Sequence, residues 1–263
     1  MSDDASDRLL LREDKAGICR LTLNRPQARN ALSLALLDRL AEELEEIAGN
    51  NTVRVVVIAG AGSAFCAGHD LKELRANQDD AFHQRVFQHC SDVMLRLTNL
   101  PQPVIAEVHG IATAAGCQLV ATCDLAIADS DAHFATPGVN IGLFCSTPMV
   151  ALSRAVSRKA AMEMLLAGDM IDADRAQALG LINRSVPAGQ LTSTVETLAR
   201  RIADKSSHVL AIGKKAFYAQ AELGLAAAYA YTSDVMVRNL ASLDAAEGID
   251  AFIAKRKPVW CGC

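Results

Sequence analysis

Short apolar strands alternate with helices along the first two thirds of the chain, and this order limits the fold more than any other feature. The segments VRVVVIAG (53–60), PVIAEV (103–108) and DLAIADS (124–130) are mainly apolar with almost no alternation, as expected for strands covered on both faces. Helical patterns separate these segments. Because strands joined through helices run parallel in one sheet, the sequence predicts an α/β fold.

The chain begins with a different pattern. Two strand-like runs, RLLLRED and GICRLTLNR, are joined by the turn residues 14–17, which predicts a hairpin. Ser33 is then placed to cap a helix whose leucines follow helical spacing, and Gly49 is placed to end it.

The strand patterns stop after about Pro187. Residues 190–257 have helical patterns and are rich in alanine and leucine. We therefore divide the chain into a core of residues 1–195 and a helical C-terminal region of residues 196–263. The apolar content of that region indicates that it packs subunits together.

The charge balance argues against nucleic-acid binding. The chain has 263 residues and a formal net charge of −4, and its lysines and arginines are scattered, whereas nucleic-acid-binding surfaces carry clustered basic residues. No window of about 18 residues is apolar and free of charge, so the sequence predicts no membrane span.

The surroundings of the eight cysteines argue against disulfides. Cys66, Cys117, Cys123 and Cys145 lie in apolar or small-residue runs, where a thiol packs as a small apolar group. The acidic residues 1–14 show no secretory pattern. We therefore predict a cytoplasmic location, with a flexible tail at the closing Cys-Gly-Cys.

Two segments combine sparsely covered backbone with the start of a helix after a buried strand: FCAGHDLKEL (65–74) and IATAAGCQL (111–119). First turns of helices carry unpaired N–H groups that favour negative charge. Two such ends at one point would form an oxyanion hole for an ester or thioester carbonyl. Tight helix–strand packing also requires small residues, so the pattern alone leaves both interpretations open.

Other sites are less consistent with the sequence. The glycine-rich GAGSAFCAG (60–68) lacks the Lys-Ser/Thr of a phosphate loop and the spacing of a dinucleotide site. Cys66 and His69 have metal-like spacing without a second pair at a matching distance. Cys117 has no base beside it in the sequence. We predict no metal and no resident cofactor.

Four motifs together resemble the enoyl-CoA hydratase/isomerase (crotonase) superfamily. They are FCAGHDLKEL, HGIATAAGCQLVATCDLAIA, FATPGVNIGLF and AFIAKRKPVW, and the similarity begins at LNRPQARNAL (23–32). Within the superfamily, these stretches resemble the domain-containing protein 3 subgroup. The resemblance implies a crotonase-like spiral of ββα units, a helical C-terminal oligomerisation region, homotrimers or dimers of trimers, and an acyl-CoA thioester as the ligand.

The resemblance also implies roles for individual residues. The backbone amides of His69 and Ala115 match the two donors that hold the thioester oxygen. Coenzyme A enters only as part of this substrate. The residues that match or are candidates for contacts with coenzyme A are Asp70, Leu71 and Lys72 after the first donor, Phe252 and Lys255 near the end, often from a neighbouring subunit, and Arg25 and Arg29.

The chain departs from the family at both catalytic carboxylates. The hydratases use two glutamates to activate water and move protons, and the matching positions hold Gln118 and Gly138. An amide cannot exchange a proton near neutral pH, and a positioned acid or base contributes about 10²- to 10⁴-fold. Efficient hydration of a 2-enoyl-CoA is therefore not expected. The titratable groups closest in sequence that could replace the carboxylates are His69, Asp70, Glu107, His109 and Cys145. Ser146 and Thr147 could orient a water or a substrate group.

Two hypotheses remain open from the sequence. The first is an enzyme that stabilises a thioester enolate without the glutamate pair, for example by decarboxylation of a malonyl-type CoA, which needs no base. The second is a non-catalytic protein that binds acyl-CoA on an inherited fold.

Overall fold

The structure is a computed structural model that describes residues 9–263. Its first two strands, β1 (Leu10–Lys15) and β2 (Ile18–Leu23), pair antiparallel as the predicted hairpin. The turn between them consists of Ala16 and Gly17, which both have positive φ angles of 51° and 79°. Left-handed backbone at both positions matches the twist of the hairpin strands. Residues 1–8, including most of the acidic opening, lie outside the described part.

The main sheet has six strands in the order β1-β2-β3-β4-β6-β9, and every neighbouring pair after the hairpin is parallel. A second sheet has three short strands in the order β5-β7-β8. The predicted parallel α/β arrangement is confirmed. The strands are β3 (Val55–Gly60), β4 (Val104–Val108), β5 (Ile111–Thr113), β6 (Leu125–Asp129), β7 (His133–Ala135), β8 (Ile171–Asp172) and β9 (Arg184–Val186).

Eleven α-helices lie within residues 9–263, and the last four follow one another without an intervening strand. They are α1 (Leu34–Ala48), α2 (Leu71–Ala76), α3 (Asp80–Asn99), α4 (Ala115–Thr122), α5 (Pro148–Ala155), α6 (Arg158–Ala167), α7 (Ala173–Leu179), α8 (Leu191–Ala203), α9 (Ser207–Ala221), α10 (Leu225–Leu240) and α11 (Leu243–Ile253). Ser33 caps α1 by accepting a hydrogen bond from the amide of Leu36, as the sequence predicts.

The repeating unit of the core is strand, short strand, helix. β4 leads into β5 and α4, and β6 leads into β7 and then a turn of 3-10 helix at Pro137–Ile141 before α5. The short strands β5 and β7 pair with each other, and Cys66 forms a bridge to Ala112 at the corresponding place after β3. The chain therefore builds successive ββα turns, with the bare segments at the corner of each turn.

Both faces of the main sheet are covered, which explains why its strands lack alternation. On one face, α8 buries Leu191, Val195, Leu198 and Ala199 against side chains of β3, β4 and β6. The larger apolar core lies on the other face. The boundary that the sequence predicts at residue 195 falls inside α8, which belongs structurally to the sheet.

A buried ion pair ties α9 to the core. The Nζ atom of Lys214 lies 2.6 Å from the carboxylate of Asp124 and also donates to the carbonyl oxygens of Leu97 and Gln102. The hydroxyl of Tyr218 donates to the other oxygen of Asp124 at 2.8 Å. Asp124 lies between α4 and β6, so one carboxylate joins the end of α4 to the face of α9.

The closing Cys-Gly-Cys is docked, which corrects the predicted flexible tail. Asp244, 1% exposed, accepts hydrogen bonds from the amides of Cys261 and Gly262. Cys261 and Cys263 form a disulfide, and the indole of Trp260 donates to the carbonyl of Asp204. A buried carboxylate thus fixes a segment that composition alone suggests is loose.

Helix α10 buries none of its side chains within the described chain. Leu225, Tyr229, Met236 and Val237 are each more than 60% exposed. An apolar helix face of this size is typical of a surface that packs against another chain. None of the helices in residues 9–263 combines the length and apolar character needed to cross a bilayer.

We expect Lys214→Met to lower the free energy of unfolding by about 3 kcal/mol, because it leaves the carboxylate of Asp124 without its charge partner. The matched control is Arg200→Met, which removes an exposed ion pair with Glu196 and is expected to cost less than about 1 kcal/mol. Urea denaturation of both variants measures the difference, and equal losses would contradict a stabilising role for the buried pair.

Candidate functional site

The two bare segments lie against each other at two glycines. A Cβ atom on Gly116 would stand 2.1 Å from the carbonyl oxygen of Cys66. A Cβ atom on Gly68 would stand 2.9 Å from the Cβ of Ala114 and 3.3 Å from the amide nitrogen of Ala115. No side chain fits at either position, so the small residues allow backbone to touch backbone. The same contact is therefore consistent with both interpretations of the sequence, tight helix–strand packing and an oxyanion hole.

Hydrogen bonds fix each segment but leave one amide of each unused. The amide of Leu32 donates to Gly68, the amide of Asp70 donates to Leu32, and the amide of Thr113 donates to Cys66. Within residues 9–263, the N–H groups of His69 and Ala115 have no hydrogen-bond acceptor. Two amides without acceptors therefore lie on adjoining segments.

The residue before the second donor has an unusual backbone. Ala114 has φ 51° and ψ −117°, in a region that alanine rarely adopts. Strained residues of this kind persist where surrounding structure holds them, and they concentrate at functional sites. Here the strained turn lets α4 begin directly at the contact, with the amide of Ala115 in its first turn.

Gln118 is the first polar side chain of α4. It is 4% exposed, and its Oε1 atom is buried without a partner among the described residues. A residue three positions after Ala115 lies on the same helix face and leans toward the N-terminal end. A buried, unpaired carbonyl oxygen costs about 1–3 kcal/mol, which a ligand or water that donates a hydrogen bond would recover.

Gly138 has no room for a side chain. A Cβ atom there would lie 2.6 Å from the carbonyl oxygen of Leu143 and 2.9 Å from the Sγ atom of Cys145. The backbone that follows folds back, and the amide of Leu143 donates to the carbonyl of Gly138. The space beside Gly138, which the resemblance matches to the second glutamate of the hydratases, is thus occupied by backbone and by a buried thiol. Burial raises the pKa of Cys145, so this thiol stays protonated near neutral pH.

His69 is half-buried beside the first donor, and both nitrogens of its ring are buried. Its ring meets the ring of Phe87 edge-on, with centroids 5.1 Å apart, and the backbone of Leu32 also interacts with it. Burial lowers the pKa of His69 to about 4. The ring is therefore neutral near pH 7. Thr136, next to the Gly138 turn, has a buried and unpartnered hydroxyl.

Several of the other candidate residues surround the first donor segment. Arg25 pairs with Asp70 at 2.8 Å, and Asp70 also caps α2 by accepting from the amides of Lys72 and Glu73. These two charged residues therefore already have partners in the protein. Leu71, Lys72 and Arg29 are exposed near this segment, where they remain open to a ligand.

The remaining candidates lie elsewhere. Phe252 is 85% exposed near the end of α11, and Lys255 follows it. Helix α11 packs on α9 and α10. Glu107, a possible replacement for the missing carboxylates, is paired with Arg20 at 2.7 Å and accepts from Thr192 at 2.8 Å. Its carboxylate is therefore occupied in joining β2, β4 and α8.

A cavity that the sequence does not reveal is lined in part by Gln118. It has a volume of about 450 Å³ and lies between α3, α4, α5 and α9, within the range of small-molecule pockets. The signal for it was present as polar and apolar residues at helical spacing on four separate helices. Which faces of those helices meet could not be read from spacing alone.

Together these groups can hold an oxygen that gains negative charge, but they offer no carboxylate to move a proton. Two free amides supply hydrogen bonds of the type found in oxyanion holes. The side chains beside them, Gln118 and His69, are neutral near pH 7. The arrangement therefore suits hydrogen bonding to a developing negative charge better than it suits acid–base exchange.

Comparison with known proteins supports the family resemblance. Residues 13–262 match the family model described as Enoyl-CoA hydratase/isomerase. Mitochondrial enoyl-CoA hydratase domain-containing protein 3 from Homo sapiens is 51% identical over 93% of this chain and 80% of its own length, and that from Rattus norvegicus is 48% identical over 98% and 86%. A solved structure of an enoyl-CoA hydratase from Mycobacterium smegmatis is 52% identical, covers 96% of this chain and 98% of its own, and has a TM-score of 0.94. The predicted crotonase-like fold and subgroup are confirmed.

The predicted cytoplasmic location is wrong, because these two relatives are named as mitochondrial proteins. The prediction depended on reduced cysteines and on the lack of a secretory pattern. Cys66, Cys117, Cys123 and Cys145 are indeed free and buried. Reduced thiols argue only against an oxidising compartment and do not choose among the others.

We expect Gly116→Ala to disrupt the contact between the two segments, because its Cβ atom would overlap the carbonyl of Cys66. The free energy of unfolding should fall by about 2 kcal/mol or more. Gly213→Ala is the matched control, since that glycine lies within α9 with open space around it, and it should stabilise the protein by about 0.5–1 kcal/mol. Thermal unfolding distinguishes the two, and a harmless Gly116→Ala would refute the backbone contact.

We expect His69→Gln to flatten the pH dependence of stability. The pKa of His69 is about 4 in the folded protein and about 6.5 in an unfolded chain, so the unfolded state binds more protons between these values. Stability is present above pH 6.5 and is lost as the pH falls toward 4, by up to about 3 kcal/mol. Denaturation from pH 4 to 7 measures this, with His133→Gln, at an exposed histidine, as the control. An unchanged slope in the His69 variant would contradict burial of the ring.

Proposed function

This chain belongs to the enoyl-CoA hydratase/isomerase family, and from that premise we propose that it binds an acyl-CoA thioester and polarises its carbonyl with the amides of His69 and Ala115. The observation that carries the proposal is the glycine contact between the two segments, which leaves both amides free on adjoining backbone. A thioester oxygen between them would complete the hydrogen bonding of both groups.

We expect the nucleotide part of coenzyme A to contact the exposed residues beside the amide of His69. Lys72 and Arg29 offer positive charge to phosphate, and Leu71, 51% exposed, offers an apolar contact. Coenzyme A is part of the substrate in this proposal, and no resident cofactor is invoked.

Phe252 and Lys255 would reach a neighbouring subunit's ligand in a homotrimer or a dimer of trimers. The unburied apolar face of α10 supports association of this kind. The two residues would then complete a pocket that a single chain leaves open.

Efficient hydration of a 2-enoyl-CoA is not part of the proposed function. Water addition needs a base to activate the water and an acid to protonate the α-carbon, and the two family positions hold an amide and a glycine. Neither Cys145, whose pKa is raised by burial, nor His69, whose pKa is about 4, supplies an equivalent proton donor at neutral pH.

Decarboxylation of a malonyl-type CoA is the second candidate, and the neutrality of Gln118 and His69 favours it. The bond to the departing carboxylate breaks and its electron pair forms the enolate, which the two amides would stabilise. The released CO2 needs no base, and water can later protonate the α-carbon. Because the surrounding side chains are uncharged, they destabilise the charged carboxylate of the substrate relative to the neutral CO2 product.

The test measures butanoyl-CoA binding by calorimetry and follows crotonyl-CoA, malonyl-CoA and methylmalonyl-CoA by mass spectrometry. We expect thioester binding, negligible hydration, and CO2 loss if the second candidate holds. Binding without turnover of any substrate would favour the non-catalytic alternative. Absence of thioester binding would overturn the proposal itself.

We expect Gln118→Glu to raise crotonyl-CoA hydration by roughly 10²-fold, because it restores one positioned acid–base group. Gln118→Met is the matched control, since it keeps the side-chain length without an ionisable group. Adding Gly138→Glu would not help, because the first atom of its side chain meets the carbonyl of Leu143. If Gln118→Glu binds butanoyl-CoA yet gains no hydration over Gln118→Met, Gln118 does not face the reacting carbons.

A further inference from the structure

We infer that Cys261 and Cys263 form a reversible redox site, in which a dithiol reductant opens the disulfide and a disulfide oxidant closes it, and that the closed form holds the end of the chain on α9 and α11. We call residues 256–263 the C-terminal segment. The inference rests on residues other than those of the proposed function and does not depend on it.

The pair is the exposed exception among the cysteines. Cys261 and Cys263 are exposed and bonded to each other, which corrects the expectation from the sequence that the chain forms no disulfide. The other six cysteines are free and buried. Burial raises the pKa of all six thiols, so they stay protonated and unreactive near neutral pH. A soluble thiol or disulfide therefore reacts at the C-terminal pair first.

The ring that the disulfide closes is short. One residue separates the two cysteines, whereas a disulfide stabilises a protein most when it closes a long loop of the unfolded chain. Opening a short loop therefore costs the protein little. Exposed disulfides are also the ones that exchange with soluble thiols in regulation or catalysis. Both properties favour a bond that opens and closes while the protein stays folded.

Gly262 provides the backbone turn that the closed ring needs. Its φ angle is 81°, in the left-handed region that glycine adopts without steric cost. With this turn, the Cα atoms of Cys261 and Cys263 lie 5.6 Å apart, within the usual range for a disulfide. An alanine at position 262 would therefore be strained in the closed form.

One buried carboxylate holds the closed pair in place. Asp244, in the first turn of α11, accepts hydrogen bonds from the amides of Cys261 and Gly262 and from the hydroxyl of Ser206. Burial alone would raise the pKa of Asp244, but these hydrogen bonds outweigh it and lower the pKa below its usual value. Ser206 also caps α9 by accepting from the amide of Val209. The pair is therefore tied to the starts of both α9 and α11 through a group that is ionised near neutral pH.

Trp260 depends on the same anchor. Its indole donates to the carbonyl of Asp204, just after α8, and its ring packs so close to Gly248 that a Cβ atom there would lie 3.2 Å away. Trp260 directly precedes the ring whose amides bind Asp244. Opening the ring gives this part of the backbone more freedom, so we expect the indole to be held less firmly in the reduced form.

The exchange reaction begins at the sulfur of Cys263. The Sγ atom of Cys261 lies 3.2 Å from a carboxylate oxygen of Asp244, whose negative charge repels a thiolate that approaches there. A thiolate of the dithiol therefore attacks Cys263 and forms a mixed disulfide with it. The S–S bond of the protein breaks, and its electron pair leaves on Cys261, which takes a proton from water and can then donate its S–H to Asp244.

The second thiol of the reductant completes the reaction. It attacks the reductant's own sulfur in the mixed disulfide, and the electron pair of that bond leaves on Cys263, which is protonated in turn. The protein gains two electrons and two protons, and the dithiol becomes a disulfide. Oxidation by a disulfide follows the same steps in reverse.

The first experiment equilibrates the folded protein with excess glutathione disulfide or with excess dithiothreitol, blocks the free thiols with iodoacetamide and locates the label by peptide mass spectrometry. We expect no label on the pair after oxidation and label on both Cys261 and Cys263 after reduction. The six buried thiols should stay unlabelled in both samples. A pair that stays reduced in glutathione disulfide, stays closed in dithiothreitol, or carries glutathione instead of closing would overturn the inference.

The fluorescence of Trp260 tests whether the C-terminal segment is released, because the chain has one tryptophan. We expect reduction to shift its emission to longer wavelength and to increase its quenching by iodide, since the indole becomes more exposed to water. The double variant Cys261→Ser, Cys263→Ser should show the reduced spectrum under both conditions. An unchanged spectrum on reduction of the wild-type protein would show that the disulfide does not hold the segment.

Gly262→Ala tests the geometry of the closed form. In a buffer that reduces half of the wild-type protein, we expect this variant to raise the ratio of reduced to oxidised pair about tenfold, because left-handed backbone is costly for alanine. Gly224→Ala is the matched control, since that glycine has a φ angle of −67° and open space around it, and it should leave the ratio unchanged. Equal ratios in the two variants would contradict the assigned ring. Far-ultraviolet circular dichroism checks that each variant is folded.

Discussion

The contact between Gly116 and the carbonyl of Cys66 is the constraint on which the site depends. A single carbon atom on that glycine would separate two segments that follow different strands of the core. Their closeness keeps the amides of His69 and Ala115 on adjoining backbone, and it sets where α4 begins. The free donors, the strained Ala114 and the position of Gln118 all follow from this one approach of main chain to main chain. The chemistry of the site is thus determined first by missing side chains and only then by those present.

Much of the fold could be predicted because its signals are local. Ser33 caps α1 through one nearby amide, and the strands β3, β4 and β6 carry unbroken apolar runs because α8 covers their second face. The three-residue strands β5 and β7 escaped prediction, since their pairing depends on how the ββα turns stack. The docked C-terminus escaped it for a similar reason: Asp244 reaches across from another helix.

The site was predictable at its backbone and less so at its side chains. Glycines next to the start of a helix, such as Gly68 and Gly116, indicate that another backbone segment can approach closely. The resemblance matches Gln118 and Gly138 to the two carboxylate positions of the hydratases, but it says nothing of the space around Gly138. The structure shows that the carbonyl of Leu143 and the thiol of Cys145 fill that space. Glu107 illustrates the converse, because its nearness in sequence to the site hides its pairing with Arg20. Spacing along a chain cannot report which partner a side chain finds across the sheet.

The carboxylate of Asp124 links the helix that lines the cavity, α9, to the helix that begins with a free amide, α4. Asp124 follows α4, whose first residue has a free amide. It binds Lys214 and Tyr218 on α9, which lines the cavity. Helices α4 and α9 are therefore held together at Asp124. A ligand too large for the cavity would displace α9 and, through Asp124, the C-terminal end of α4. The amide of Ala115, at the start of α4, would then be misaligned with the ligand.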